Sequence, residues 1–260
     1  MIKLLIALGR KVISILYMLG GLSYLIGQSF YLSFVPPLRK DRIVEQIKKA
    51  GYDSLPIISL VSLFIGFIFA LQTAYFMQRI GSEIYIASMV ALSIVRELGP
   101  VITALVVAGR VGAAIAAEIG TMQVTEQIDA LESFATNPIK YLVVPRFIAL
   151  SIVLPILTLY ANIIGILGGY MICVYKLGIS SSMYLHVTFD ALLHKDLFTG
   201  LFKTIFFGMI IAFVSCYEGF NVEGGAEGVG KATMRAVVSA FILIIMADCF
   251  FTAMFYFIFP

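Results

Sequence analysis

Residues 95–146 read VRELGPVITALVVAGRVGAAIAAEIGTMQVTEQIDALESFATNPIKYLVVPR. Three kinds of sequence follow one another in this stretch. It opens with an ionisable pair, Arg96-Glu97, set in apolar sequence and followed by Leu98-Gly99-Pro100. A run crowded with small residues, Ala108 to Ala117, permits close helix contacts. The composition then turns acidic at Glu126, Asp129 and Glu132. From Ile84 to Ala117 only Arg96, Glu97 and Arg110 interrupt 34 residues of uncharged sequence. As a straight helix at about 1.5 Å per residue that is about 51 Å, longer than one plain crossing of a hydrocarbon core of about 30 Å. The stretch therefore predicts a membrane span that bends near Gly99-Pro100 or runs on into the cytoplasm. A charged pair inside a membrane is costly and by default marks function. Here it reads either as the polar floor of a cavity or as a pair that satisfies itself or snorkels to an interface.

Outward from this stretch the rest of the chain agrees. Of 260 residues 61% are hydrophobic and 13% charged, with a mean hydropathy of +1.02. A soluble domain carries about 25% charged residues. This excludes a soluble globular enzyme, a disordered chain and a nucleic-acid binder working through a basic surface. Cys173, Cys216 and Cys249 lie in apolar runs and read as small hydrophobes rather than a disulfide framework. Further uncharged stretches, Ser54–Gln78 and Phe147–Tyr175, are long enough to span. Gly200–Tyr217 spans if the stem of Lys203 snorkels to the interface, and Ala236–Pro260 is broken only by Asp248. Val12–Leu38 is also uncharged, but basic residues flank it on both sides: Lys3, Arg10 and Lys11 before, Arg39, Lys40, Arg42, Lys48 and Lys49 after. The positive-inside rule keeps both clusters cytoplasmic if this segment lies in the interface. Gly20, Gly21, Gly27 and Pro36-Pro37 suit an irregular element there. The prediction is an all-α membrane protein with an N-terminal interfacial segment (1–50), five spans and no internal repeat. Its N-terminus is inside and its C-terminus outside.

Val124, Ile128, Leu131 and Ala135 share one helix face, with Glu126, Asp129 and Glu132 opposite, and Asn137-Pro138 ends the helix. Interfacial helices usually carry Lys and Arg on their polar face, so a short acidic helix in a cytoplasmic loop reads as docking on a protein. Other patterns weigh less. Residues 225–232, GAEGVGKA, nearly fit the phosphate-binding loop, but Ala232 replaces the magnesium-holding hydroxyl and no strand precedes it. His186, Asp190 and His194 are spaced for one helix face but read as a solvated outer helix. Asp248, mid-span, either bonds a neighbouring helix or joins the polar floor. Ala161, Gly165 and Gly169 form a small-residue seam within or between subunits. No nucleophile–base arrangement is evident.

Taken in order, Arg96-Glu-Leu-Gly-Pro, Ala108-Gly-Arg-x-Gly-Ala-Ala, Ala117-Glu-Ile-Gly-Thr-Met, Thr125-Glu-Gln-Ile-Asp-Ala-Leu-Glu, Asn137-Pro138 and Val144-Pro145-Arg146 closely resemble the MlaE/YrbE permease family. These are membrane subunits of ABC systems that work with MCE-domain proteins to move lipids. The resemblance extends over essentially the whole chain and is weakest before residue 50 and in the outer loop. It implies a single permease domain over 1–260, with an elbow helix, five spans and a cytoplasmic coupling helix over 121–136. It implies a homodimer in a cell inner membrane, or alternatively a plastid inner envelope. The implied partners are an ABC ATPase, an MCE-domain protein and a small cytoplasmic accessory subunit, with a phospholipid as substrate and no nucleic acid. This chain would hold no cofactor and would not be an enzyme; ATP and magnesium would belong to the ATPase. Thr125, Glu126, Asp129 and Glu132 would couple to that ATPase. Phe69, Phe76, Met77 and Ile80, with Leu98, would line a lipid pocket above Arg96 and Glu97, and the system would maintain membrane lipid asymmetry. Two other classes compete: an ion-coupled secondary transporter of a lipid or hydrophobic solute, using Glu97 and Asp248, and a membrane-embedded lipid enzyme.

Overall fold

A backbone that crosses hydrocarbon must bond its own N–H and C=O groups, and this chain does so with helices throughout. A computed structural model describes residues 2–37, 39–79 and 81–258, the side chains of 2–12, 14, 15, 17 and 258 aside, and no strand occurs among the described residues. The helices are α1 (Ile2–Ser33), α2 (Lys40–Gly51), α3 (Leu55–Arg79), α4 (Ile86–Ser93), α5 (Gly99–Val107), α6 (Ala113–Val124), α7 (Gln127–Ser133), α8 (Val144–Tyr175), α9 (Ser181–Ala191), α10 (His194–Phe220) and α11 (Gly225–Ile258). Among the described residues five helical stretches are long and apolar enough to cross a membrane: Lys40–Arg79, Glu83–Val124, Ile139–Tyr175, His194–Phe220 and Gly225–Phe257. The chain is thus an all-α, multi-pass membrane protein.

The second span, α4 to α6, does not break at Pro100. It stays helical and absorbs the proline in a wider π turn, Ile94–Leu98, where the Gly99 N–H reaches back to the Ile94 carbonyl. Pro100 has no N–H, so the Arg96 carbonyl one turn before it loses its usual partner. A second π turn, Ala108–Gly112, joins α5 to α6. The 42 residues of this span reach about 63 Å at about 1.5 Å each. The span thus meets the proline with a π turn rather than a break, and its length exceeds a hydrocarbon core of about 30 Å.

α8 is the central helix, and α2, α3, α5 and α10 all pack on it. Ile58, Leu150, Leu154, Phe207 and Ile211 are at most 1% exposed in the shared core. The α3–α8 crossing is close because it is built from glycine. A Cβ on Gly66 would stand 2.0 Å from the Gly165 carbonyl oxygen, and one on Gly168 would stand 2.5 Å from that of Leu63. The small-residue seam on α8 is therefore internal to the chain. By contrast, α3 turns Leu60, Phe64 and Ile68 outward, and α11 turns Val238, Ile242 and Ile245 outward.

Three expectations need correction. α1 is a continuous helix, not an irregular element, since Gly20, Gly21 and Gly27 all lie within it. Gly21 abuts the Tyr217 ring and Phe30 packs near Phe213. Nine residues of α1, about 13.5 Å, thus match four of α10, about 6 Å, so the helices cross obliquely. The acidic helix is shorter than 121–136. α6 runs to Val124, Glu126 takes a left-handed φ of 58°, and α7 covers only Gln127–Ser133. Ile128 is buried and Leu131 partly buried, while Val124 and Ala135 are exposed. Asn137 does not end this helix but starts the next, its Oδ1 accepting from the N–H groups of Ile139 at 2.9 Å and Lys140 at 3.2 Å.

Candidate functional site

The charges inside the apolar spans converge. Lys203 lies nine residues into α10, about 13.5 Å from its start. Its side chain is 2% exposed. The Lys203 ammonium donates to Glu97 Oε2 on the π turn at 2.8 Å, to Asp248 Oδ1 on α11 at 3.0 Å and to Thr252 Oγ1 at 2.6 Å. It also donates to the Arg96 carbonyl at 3.4 Å, the one that Pro100 cannot serve. Thr252 passes a bond on to Glu97 Oε1 at 3.1 Å. Three helices are thereby tied by one cation and two carboxylates. Phe202, Phe206 and Phe251 meet edge-on or tilted between α10 and α11, with Phe206 and Phe251 centroids 4.8 Å apart; Phe202 adjoins Lys203 and Phe251 adjoins Thr252 in sequence.

This corrects the reading of Lys203 as a snorkelling residue: its stem carries the charge inward, to carboxylates on two other helices. Asp248 meets the first of its two expectations, since it bonds a neighbouring helix through Lys203 on α10. Thr252 and Asp196 carried no signal as single residues in sequence. Asp196 Oδ2 accepts from the Leu193 N–H at 3.1 Å, holding the start of α10, and Oδ1 lies 3.7 Å from the Arg96 guanidinium.

The cluster is open on one side. The side chains of Arg96 and Glu97 are 49% and 39% exposed. Phe69, Met77 and Leu98 pack together on a second apolar cluster with Ala70, Ala74, Val90 and Ile94, while Phe76 is exposed beside Tyr75. Glu97 bonds in another direction, to α10 and α11. Ile80 lies outside the described residues.

At the opposite end of the second span, Thr125, Glu126, Asp129 and Glu132 are all exposed. Asp129 and Glu132 line a groove of about 590 Å³ with Gln123 on α6, Gln28 on α1 and Tyr217 on α10. Behind it Arg146, 4% exposed, pairs with Glu118 at 2.9 Å and bonds the Leu142 carbonyl at 2.7 Å. The acidic helix is thus linked through α6 to the core helix α8.

The remaining motifs are placed simply. Residues 225–231 are the first turns of α11, with Lys231 bonded to Glu227 at 2.7 Å, so this segment is coiled rather than looped around a phosphate. The connection between the third and fourth spans is shorter than 176–199, since α10 starts at His194, and it contains α9, held by buried Tyr184, whose hydroxyl bonds the Ile166 carbonyl at 3.2 Å. Burial raises the pKa of that phenol. α9 ends at Ala191, so His194 leaves the face shared by His186 and Asp190.

Five apolar helical stretches, an ionic cluster between spans and an exposed acidic helix at one end describe a polytopic membrane protein. The family described as Permease MlaE matches residues 43–254, and the chain belongs to it. It is 48% identical over 221 residues, 85% of each chain, to a probable ABC transporter permease protein of Rickettsia prowazekii. It is 36% identical over 250 residues, 95% of each, to the intermembrane phospholipid transport system permease protein MlaE of Haemophilus influenzae. It is 39% identical over 213 residues, 82% of this chain and 61% of the other, to the chloroplastic protein TRIGALACTOSYLDIACYLGLYCEROL 1 of Arabidopsis thaliana.

Proposed function

We propose that this permease moves phospholipids between an inner membrane and an MCE-domain partner, driven by a separate ABC ATPase that binds ATP and magnesium, and so maintains lipid asymmetry. The observation that carries this reading is the Glu97–Lys203–Asp248 cluster, closed on three helices and open at Arg96 and Glu97, in otherwise apolar spans. A lipid pocket needs such a polar floor under apolar walls. Phe69, Phe76, Met77, Ile80 and Leu98 would supply the walls, completed by the outward faces of α3 and α11 from a second copy in a homodimer. The oblique crossing of α1 over α10 suits an elbow helix in the cytoplasmic interface. Thr125, Glu126, Asp129 and Glu132 would seat in the ATPase, with a small accessory subunit on its far side, and Glu118–Arg146 would carry its closure to α8.

The test is reconstitution in liposomes with the ATPase and MCE subunits. ATP-dependent transfer of a labelled phospholipid is expected, lost in Glu97→Ala and Phe76→Glu while the complex still assembles. Transfer unchanged in both variants would remove the pocket assignment. Transfer driven by an ion gradient without the ATPase would favour the secondary-transporter reading.

A further inference from the structure

A second basic site lies apart from the charged cluster, where the link after α1 meets the start of the third span. The Arg39 and Arg42 guanidinium carbons each lie 4.9 Å from the centre of the Tyr141 ring. Arg42 also donates to the Tyr141 hydroxyl at 2.6 Å, and the Lys140 ammonium donates to the Pro36 carbonyl at 3.3 Å. Among the described residues no carboxylate lies within 4 Å of any of these three cations, although Asp41 is adjacent in sequence. Arg39 and Arg42 thus share one ring, Lys140 is that ring's neighbour in sequence, and Arg42 acts on the Glu45 carboxylate only from beyond 4 Å.

Arg39 and Lys140 line a cleft of about 350 Å³, with Pro37, Ile43, Val144 and Pro145 as its apolar wall. An ammonium has three donors, and Lys140 commits one to Pro36. The position of the cleft favours a membrane ligand. Val144 and Pro145 lie near the start of the third span, Ile139–Tyr175. Tyr31 and Phe34, 72% and 85% exposed at the end of α1, stand close by in sequence. Aromatic residues of this kind anchor at the headgroup level, and basic pockets between spans on the cytoplasmic side hold anionic headgroups.

We propose that this cleft binds the phosphate of an anionic phospholipid in the cytoplasmic leaflet, between Arg39 and Lys140, with Arg42 held in reserve by Tyr141. The site is distinct from the transport pocket and does not depend on it. Bound there, a lipid would pin the link between α1 and α2 to the start of the third span.

The probe is phosphatidylglycerol, titrated into nanodiscs of phosphatidylcholine carrying the full-length protein, with retained lipids counted by native mass spectrometry. One phosphatidylglycerol per chain is expected to be retained in preference to phosphatidylcholine. Removing a cation should weaken retention about fivefold, so Arg39→Ala with Lys140→Ala should weaken it about thirtyfold. Arg39→Lys with Lys140→Arg should retain it. Lys140→Gln alone, the mildest change, should still show the fivefold loss if the double variant does not fold. Equal retention by wild type and Lys140→Gln overturns the site. So does competition by glycerol phosphate as effective as by the lipid, which would make the ligand a free phosphate. Unchanged lipid retention with lost ATPase binding would assign the cations to a protein partner instead.

Discussion

The backbone carbonyl of Arg96 accepts from the ammonium of Lys203, 3.4 Å away, across a helix boundary. Pro100 makes that carbonyl available, and the π turn sets Glu97 beside it. A charge at the centre of a membrane helix costs about 3 kcal/mol on insertion scales, so Lys203 is tolerable only with its partners. Lys203→Met leaves two carboxylates without their cation, and its unfolding in detergent should show a loss of about 3–5 kcal/mol. Adding Glu97→Gln and Asp248→Asn removes the unpaired charges and should recover most of that loss.

The α3–α8 crossing should be intolerant of any side chain. Gly66→Val places atoms where the Gly165 carbonyl stands, and forcing the helices apart should cost about 1–3 kcal/mol by thermal unfolding. Gly230→Ala is the control. Nothing lies within 4 Å of that position, in the first turns of α11, so alanine should stabilise by about 0.5–1 kcal/mol.

Glu118 is half exposed but its partner Arg146 is 4% exposed. Glu118→Ala should therefore cost about 1–3 kcal/mol, less than for a fully buried pair because water reaches the carboxylate. Differential scanning fluorimetry can measure this. A Glu118→Met, Arg146→Met double variant should lie closer to wild type than the single one.

Glu126 has a φ of 58°, where a side chain costs about 1–2 kcal/mol. Glu126→Gly should stabilise the isolated permease. Glu126→Lys combined with Asp129→Lys and Glu132→Lys should leave its melting temperature unchanged but reduce recovery of the ATPase in affinity purification by about tenfold or more. Equal recovery would detach these carboxylates from docking.

Much of the fold was legible because membrane physics leaves few choices: the placement of a few charges located spans and ends. The candidate site was legible only where charge interrupted apolar sequence, at Arg96, Glu97 and Asp248. Lys203 was visible but misread. A lysine near the end of an apolar run suits snorkelling, and its partners lie far away in the chain, on other helices. Thr252 is uncharged and unremarkable in a span. The acidic helix was located by its pattern, but the left-handed turn at Glu126 left no trace, because nothing short of glycine announces such a φ.

The two π turns of the second span have a geometric consequence. Each inserts one residue into an otherwise regular helix and so advances every later side chain by about 100° around the axis. The stretch between them turns once relative to the outer end, and α6 turns twice. This phase offset lets one helix present Glu97 to α10 and α11 and, five turns on, Glu118 to Arg146. Deleting a single residue from either π turn would misdirect every contact downstream by about 100°. In this span, faithful aim depends on imperfect winding.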